Sequence, residues 1–272
     1  MRQKRRMTVV QLLRALALPR SSVMWQDAQQ NLVARSTFAR RAALAGQARP
    51  KGVNSPKLRL LLAELGALAP RRGAIPLLVA ARPQPVMLLP GFGAHPARMR
   101  RMANALQAAG HTVYQWGLGF NLGPTPENFA YLIARVDRLS RQHSAPVVLI
   151  GWSLGGLFAR EIAKKLPGNV ARVVTMGSPF SGDPRANNAW RAYQFITGHS
   201  VDDPPIACDF AGKPPVPTLA IWSPRDGIVS PRSACGWPGE RDRTLAVRCN
   251  HLSFASDSAV LAAILEELDR PD

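Results

Sequence analysis

The residues best suited to chemistry in this 272-residue chain are Gly-Trp-Ser-Leu-Gly-Gly at 151–156, after the apolar run 147–150. A sharp turn from a strand into a helix strains its central residue, and side chains two positions away on either side would strike neighbouring backbone, so both positions require glycine. Free N–H groups at the start of the following helix favour developing negative charge. The pattern therefore predicts that Ser153 is a nucleophile. The alternative is a glycine-rich turn that holds a buried, hydrogen-bonded serine.

A serine hydroxyl is a poor nucleophile by itself and needs a base, which a third group must orient. Asp226 follows the predicted strand 216–222, and His251 follows the last predicted strand, 244–247. Ligands of parallel sheets bind beyond the carboxyl ends of the strands, where these loops lie. We predict that His251 is the base and Asp226 its orienting acid. The alternatives are an aspartate in a surface turn and a histidine of a loop or the core.

The same chemistry needs backbone N–H groups aimed at the oxygen on which charge develops. We expect one donor at Leu154, directly after the serine. The second is expected at Phe92 in the loop 90–93, Pro-Gly-Phe-Gly, because its glycines allow the backbone to approach a substrate closely. The alternative is a simple glycine-rich turn.

From residue 84 onward, short apolar runs alternate with helical patterns of about ten or more residues. This alternation predicts an α/β fold with a mostly parallel sheet of about six to eight strands and helices on both faces. The predicted strands are 86–89, 112–116, 147–150, 172–176, 216–222 and 244–247, and the predicted helices are 96–109, 126–142, 153–166 and 258–268.

The charge is concentrated at the N-terminal end: residues 1–80 carry 15 of the 35 Lys and Arg but only two of the 17 Asp and Glu. Such a region could bind an anionic membrane surface, act as a targeting segment, or be a solvated extension. Nucleic acid is not an expected partner, because no aromatic residues are interleaved with the basic run. We predict a basic, flexible extension over 1–52, a helical lead-in over 53–83, and an α/β domain over 84–272 with an insertion at 178–215.

The stretch 84–268 resembles the α/β-hydrolase superfamily, specifically its bacterial lipase- and esterase-like members. The similarity lies in the segment 147–156, the loop 90–93 and the turn Gly-Ser-Pro-Phe at 177–180. The resemblance implies an α/β-hydrolase fold and one role for each candidate residue: Ser153 as nucleophile, His251 as base, Asp226 as orienting acid, and Phe92 and Leu154 as oxyanion-hole donors.

Two apolar segments are candidates for the substrate site. In this superfamily an insertion such as 178–215 often covers the acyl pocket, although a plain packing helix is an equal alternative. The loop 116–124 is rich in glycine and apolar residues and follows a strand, so we expect it to line the substrate channel. The candidate substrate contacts are Trp116, Phe120, Trp152, Trp190 and Tyr193.

These observations predict a serine hydrolase that cleaves a lipid-like or acyl ester through an acyl-enzyme. An acyltransferase on the same residues and a non-catalytic, membrane-associated binding protein remain alternatives. The sequence has no metal-binding or nucleotide-binding motif, so we expect neither a metal nor a cofactor. The sequence has no apolar run of about 18 residues, so it does not predict a transmembrane helix. We expect a cytoplasmic protein, and contact with the membrane surface is left open. Three cysteines cannot all pair, and a bridge between Cys235 and Cys249 is left open.

Overall fold

A six-stranded parallel sheet forms the centre of the computed structural model, which describes residues 37–68 and 79–270. The strand order is β2-β1-β3-β4-β5-β6, and every neighbouring pair is parallel. The predicted α/β fold with a mostly parallel sheet is confirmed. The strands are β1 (Pro85–Leu89), β2 (Thr112–Gln115), β3 (Val147–Trp152), β4 (Val170–Met176), β5 (Thr218–Trp222) and β6 (Arg243–Ala246).

The four predicted helices begin and end close to the predicted bounds, and the insertion contains a further helix. Short 3₁₀ turns follow or precede several of them, among them Glu64–Leu68 and His251–Ser253. The helices are α1 (37–45 of the described residues), α2 (Leu58–Ala63), α3 (Arg100–Ala108), α4 (Pro126–His143), α5 (Leu154–Lys165), α6 (Trp190–Thr197), α7 (Pro231–Cys235) and α8 (Ser258–Leu268).

Alternate residues of the central strands point to opposite faces of the sheet. Along β1, Val86 and Leu88 pack in one cluster with α3 and α8, whereas Met87 and Leu89 pack in another with α4 and α5. All four side chains are fully buried, and each contributes about 1.5–3 kcal/mol through the hydrophobic effect. Because helices cover both faces, functional side chains must come from the loops at the strand ends.

The described part of the predicted basic extension packs against the insertion. Phe38 of α1 meets Phe195 of α6 edge to face, with ring centroids 5.7 Å apart. Arg191 of α6 donates hydrogen bonds to the carbonyls of Ala45 and Gln47, at 3.1 and 3.2 Å. These residues therefore differ from the flexible extension predicted over 1–52, because α6 supplies them with apolar and polar partners.

Residues 1–36, on which the predicted membrane contact mainly depends, lie outside the described residues, as does the part of the lead-in at 69–78. The membrane contact therefore stays a prediction. Within 37–68 and 79–270, no helix combines the length and the apolar character needed to cross a bilayer. Cys208, Cys235 and Cys249 are free thiols, so the bridge left open by the sequence is not formed.

A buried arginine fastens the end of the insertion to α5. Arg160 is 1% exposed and donates hydrogen bonds to the carbonyls of residues 210–212 and of Glu240, at 2.9–3.2 Å. Its guanidinium carbon lies 4.1 Å from the centroid of the Phe180 ring. Burial lowers the pKa of Arg160 to about 10, so the side chain remains charged at neutral pH and keeps all its donors.

Replacing this arginine tests how strongly it fixes the insertion. Arg160→Met leaves the four carbonyls without their donor, so we expect the free energy of unfolding to fall by about 2–4 kcal/mol. Urea unfolding followed by tryptophan fluorescence measures the change. The matched control is Arg138→Met on the exposed face of α4, for which we expect a change within about 0.5 kcal/mol. Equal stabilities of the two variants would contradict the assigned role.

Candidate active site

The turn between β3 and α5 holds Ser153 in a strained backbone conformation. Its φ is 54° and its ψ is −120°, a combination that residues with a side chain rarely adopt. A Cβ added at Gly151 would lie 2.4 Å from the carbonyl group of Gly155, and one added at Gly155 would lie 2.1 Å from the carbonyl oxygen of Leu89. Both glycines are therefore required on steric grounds, as the spacing of the glycines around Ser153 predicts.

Asp226 and His251 are in direct contact at the carboxyl edge of the sheet. Both are almost completely buried, and His251 Nδ1 lies 2.8 Å from Asp226 Oδ2. The other carboxylate oxygen, Oδ1, accepts the backbone N–H groups of Ile228 and Val229 at 2.8 and 2.7 Å, which fixes the direction of the carboxylate. Because an ionised carboxylate can only accept, Nδ1 carries the proton and Nε2 is the free basic nitrogen.

Gly177, directly after β4, is the point at which the three predicted residues meet. An added Cβ there would lie 3.0 Å from both Asp226 Oδ2 and His251 Nδ1. The carbonyl of the preceding residue, Met176, accepts the backbone N–H of Ser153 at 2.8 Å. Among the described residues, no hydrogen bond joins Ser153 Oγ to His251. Such bonds are often long in the free enzyme and shorten when a substrate binds.

The loop after β1 passes over the serine. A Cβ added at Gly91 would lie 3.2 Å from Ser153 Cβ, so the backbone of this loop contacts the serine directly. No hydrogen bond in the described part of the chain uses the backbone N–H of Phe92 or of Leu154. Both residues line the same cavity as Ser153, and their two N–H groups are free to bind an oxygen there.

A buried asparagine that the sequence analysis did not single out holds this loop. Asn121 is completely buried, and its side-chain amide donates a hydrogen bond to the Pro90 carbonyl at 2.7 Å. Its backbone carbonyl accepts the Gly93 N–H at 2.7 Å. The signal for it was one polar residue within the apolar, glycine-rich loop 116–124. Asn121 therefore fixes the backbone on both sides of Phe92.

Ser153 opens into a cavity of about 90 Å³. The polar side chains of its lining are those of Ser153, Asn187 and Tyr193. Burial raises the pKa of Tyr193 to about 12, so its hydroxyl is neutral at physiological pH. The cavity therefore presents an uncharged surface beside the serine. Its apolar lining includes Phe92, Leu154, Leu157, Trp190, Phe210 and Ile228.

Two of the five predicted substrate contacts line this cavity, namely Trp190 and Tyr193 of α6. The other three do not. Trp116 is buried in the core beside Phe158, with ring centroids 6.3 Å apart, because its side chain points beneath the loop. Phe120 is 62% exposed and lines a separate groove beside the loop 90–93.

Trp152, the remaining predicted contact, supports the histidine loop instead of the cavity. Its side chain is 3% exposed, and its indole N–H donates to the His251 carbonyl at 3.1 Å. A second bond across the same edge joins Ser223 Oγ to the Cys249 carbonyl at 2.6 Å. These bonds tie the end of β3 and the loop after β5 to the loop that carries His251.

Comparison with known proteins supports the assignment of the fold. A family model described as the alpha/beta hydrolase fold matches residues 84–197. A curated relative, the pimeloyl-[acyl-carrier protein] methyl ester esterase of Vibrio parahaemolyticus, is 33% identical over 111 residues, which are 40% of this chain and 42% of that protein. The chain therefore spans about two fifths of the length of this relative.

Solved structures share the architecture over most of their length. A monoacylglycerol lipase of Paleococcus ferrophilus superposes with a TM-score of 0.51 and 18% identity, covering 71% of this chain and 96% of the lipase. A hydrolase of Oleispira antarctica gives a TM-score of 0.53 and 12% identity, covering 71% of this chain and 93% of that protein. The chain has the α/β-hydrolase fold, and its residues 84–197 match the model of that family. Its sheet and its serine turn agree with that assignment.

A single methyl group tests the steric requirement for glycine in the serine turn. Gly155→Ala places a Cβ against the backbone of β1, so we expect the free energy of unfolding to fall by about 3 kcal/mol or more. Urea denaturation measures it. The control is Gly168→Ala, where an added Cβ meets no atom within 4 Å and a change of less than about 1 kcal/mol is expected. Similar losses in both variants would contradict the argument.

Proposed function

We propose that this protein hydrolyses carboxylic esters, with Ser153 as nucleophile, His251 as base and Asp226 as orienting acid. The observation that carries the proposal is the buried contact of 2.8 Å between His251 Nδ1 and Asp226 Oδ2. It lies beside the strained serine turn, which opens into the apolar cavity. Serine hydrolases use such a histidine–aspartate pair to activate the serine hydroxyl.

In the first half of the proposed reaction, Ser153 Oγ attacks the ester carbonyl carbon while His251 Nε2 takes the hydroxyl proton. The negative charge that develops on the carbonyl oxygen is stabilised by the N–H groups of Phe92 and Leu154. The carbon–oxygen bond to the alcohol then breaks, and the protonated His251 gives its proton to the leaving oxygen. The acyl group remains on Ser153 as an ester.

In the second half, His251 Nε2 takes a proton from water as the water oxygen attacks the acyl-enzyme. The bond to Ser153 Oγ breaks, and His251 returns the proton to that oxygen, so that the acid is released and the serine is regenerated. Asp226 keeps the Nδ1 proton in place and stabilises the positive imidazolium in both halves. The hydrogen bonds that Asp226 Oδ1 accepts from the backbone N–H groups of Ile228 and Val229 hold the carboxylate in the orientation that this role requires.

The substrate proposed for this reaction is an ester with an apolar acyl chain. None of the described residues that line the cavity beside Ser153 has a charged side chain. Burial of methylene groups there is favourable at about 0.8 kcal/mol each. Two of the similar proteins are named for acyl esters, a pimeloyl methyl ester and a monoacylglycerol. Both names agree with an acyl chain in the cavity.

A fluorophosphonate probe tests the proposed nucleophile. We expect covalent labelling of Ser153 in the wild-type chain and none in Ser153→Ala. His251→Ala and Asp226→Asn remove the base and its orientation, so each should lower ester turnover by about 10⁴-fold. Mass spectrometry of the labelled peptide and hydrolysis of p-nitrophenyl butyrate are the measurements.

The control for this experiment is Ser140→Ala on α4, which should label and turn over like the wild-type chain. An unlabelled wild-type chain would contradict the proposal and favour a binding protein on a hydrolase scaffold. Labelling with transfer of the acyl group to an added alcohol, in place of hydrolysis, would instead identify an acyltransferase. Product analysis by mass spectrometry distinguishes hydrolysis from transfer of the acyl group to the added alcohol.

The acyl-chain proposal is tested by filling the cavity. Ala189, just before α6, lines the cavity, so Ala189→Leu should lower kcat/KM for p-nitrophenyl palmitate by about 10-fold or more and leave that for the butyrate within about threefold. Ala192→Leu on the exposed face of α6 is the control and should change neither value. An equal loss for both esters would show that the chain does not bind here.

A further inference from the structure

One buried carboxylate outside the α/β domain contacts both loops of the candidate site. Glu64 directly follows α2 and is 3% exposed. Its Oε1 accepts the backbone N–H groups of Gly227 and His251, both at 2.8 Å, and its Oε2 accepts that of Leu252 at 2.9 Å. Hydrogen bonds to an ionised acceptor are about twice as strong as neutral ones, so these contacts bind the loops firmly.

The donors belong to the residues whose relative position decides the proposed reaction. Gly227 immediately follows Asp226, and the second donor is the backbone of His251 itself. A single carboxylate oxygen therefore joins the acid loop after β5 to the base loop after β6. The distance between His251 Nδ1 and Asp226 Oδ2 depends on the separation of these two loops.

Helix α2, which directly precedes Glu64, is itself fixed against the same two loops. A Cβ added at Gly227 would lie 2.2 Å from the Leu60 carbonyl oxygen, so the acid loop touches the backbone of α2. The side-chain amide of Asn250 donates to the Ala63 carbonyl at 2.8 Å. Glu64 is therefore held in place from both sides and cannot rotate away without breaking this packing.

We propose that Glu64 is a positioning residue that holds His251 and Asp226 at the separation needed for proton transfer. The inference rests on the proposed function, since it gives Glu64 a part in the same reaction. A carboxylate suits the position because three N–H donors converge on it and it has only acceptor sites. Glutamine keeps one oxygen for two of the donors but turns an NH₂ group toward the third.

The test compares Glu64→Gln and Glu64→Ala with the wild-type chain. We expect kcat for p-nitrophenyl butyrate to fall about 10-fold in the glutamine variant and about 100-fold in the alanine variant. The KM should stay within about twofold, because Glu64 does not line the cavity. The partial rescue by glutamine and the effect confined to kcat separate positioning from a general loss of folded protein.

The matched control is Glu267→Gln. Glu267 is also buried and pairs with Arg172 and Arg243 near the amino ends of β4 and β6, at the opposite edge of the sheet. Its replacement should lower the urea midpoint without changing kcat per folded molecule. If Glu64→Ala does not fold, the glutamine variant alone decides: a kcat within twofold of the wild-type value overturns the inference.

A spectroscopic readout separates this inference from the proposed function. The deshielded Nδ1–H proton resonance of His251 reports its bond to Asp226, and it should shift or broaden in Glu64→Gln but not in Glu267→Gln. An unlabelled wild-type chain would refute the proposed reaction, and the resonance then decides alone whether Glu64 positions the pair. A resonance unchanged in both Glu64 variants overturns the inference even if Ser153 is labelled.

Discussion

The backbone conformation at Ser153 is the constraint on which the rest of the site depends. A positive φ at a residue with a side chain is unfavourable, and it persists here because β1, β3 and β4 surround the turn. Gly151 and Gly155 allow the backbone segments to approach within distances that a Cβ would prevent. The hydrogen bond from Ser153 to Met176 anchors the turn to the neighbouring strand. The parallel sheet is therefore the support for one strained residue as well as the source of the core.

Around that residue, buried polar groups are satisfied by bonds between loops that are distant in the chain. Asp226, Glu64 and Asn121 each accept or donate bonds to the backbone of a functional loop. Leaving such groups unpaired would cost about 1–3 kcal/mol each, so folding and the arrangement of the site are coupled. The apolar cavity beside them has few polar groups among its described lining residues.

The parts of the structure that the sequence predicts well are those with a local cause. The strands follow from short apolar runs, and the serine turn follows from the spacing of its glycines. The position of Trp152 against the His251 loop could not be predicted, because its neighbours in the sequence do not reveal toward which face its ring points. Glu64 was missed because its partners Gly227 and His251 are 163 and 187 residues away, and no local pattern marks such a contact. The roles assigned to Ser153, Asp226 and His251 remain predictions that the geometry supports.

The packing of α1 on α6 has a consequence for how this protein could diverge. The same short helix presents Trp190 and Tyr193 to the cavity and Phe195 and Arg191 to the segment upstream of the sheet. Changes in that upstream segment would tilt or shift the cavity wall while every reacting atom keeps its place. Substitutions in the upstream segment can thus change the shape of the cavity. An alignment restricted to the sheet and its helices would discard that segment as variable.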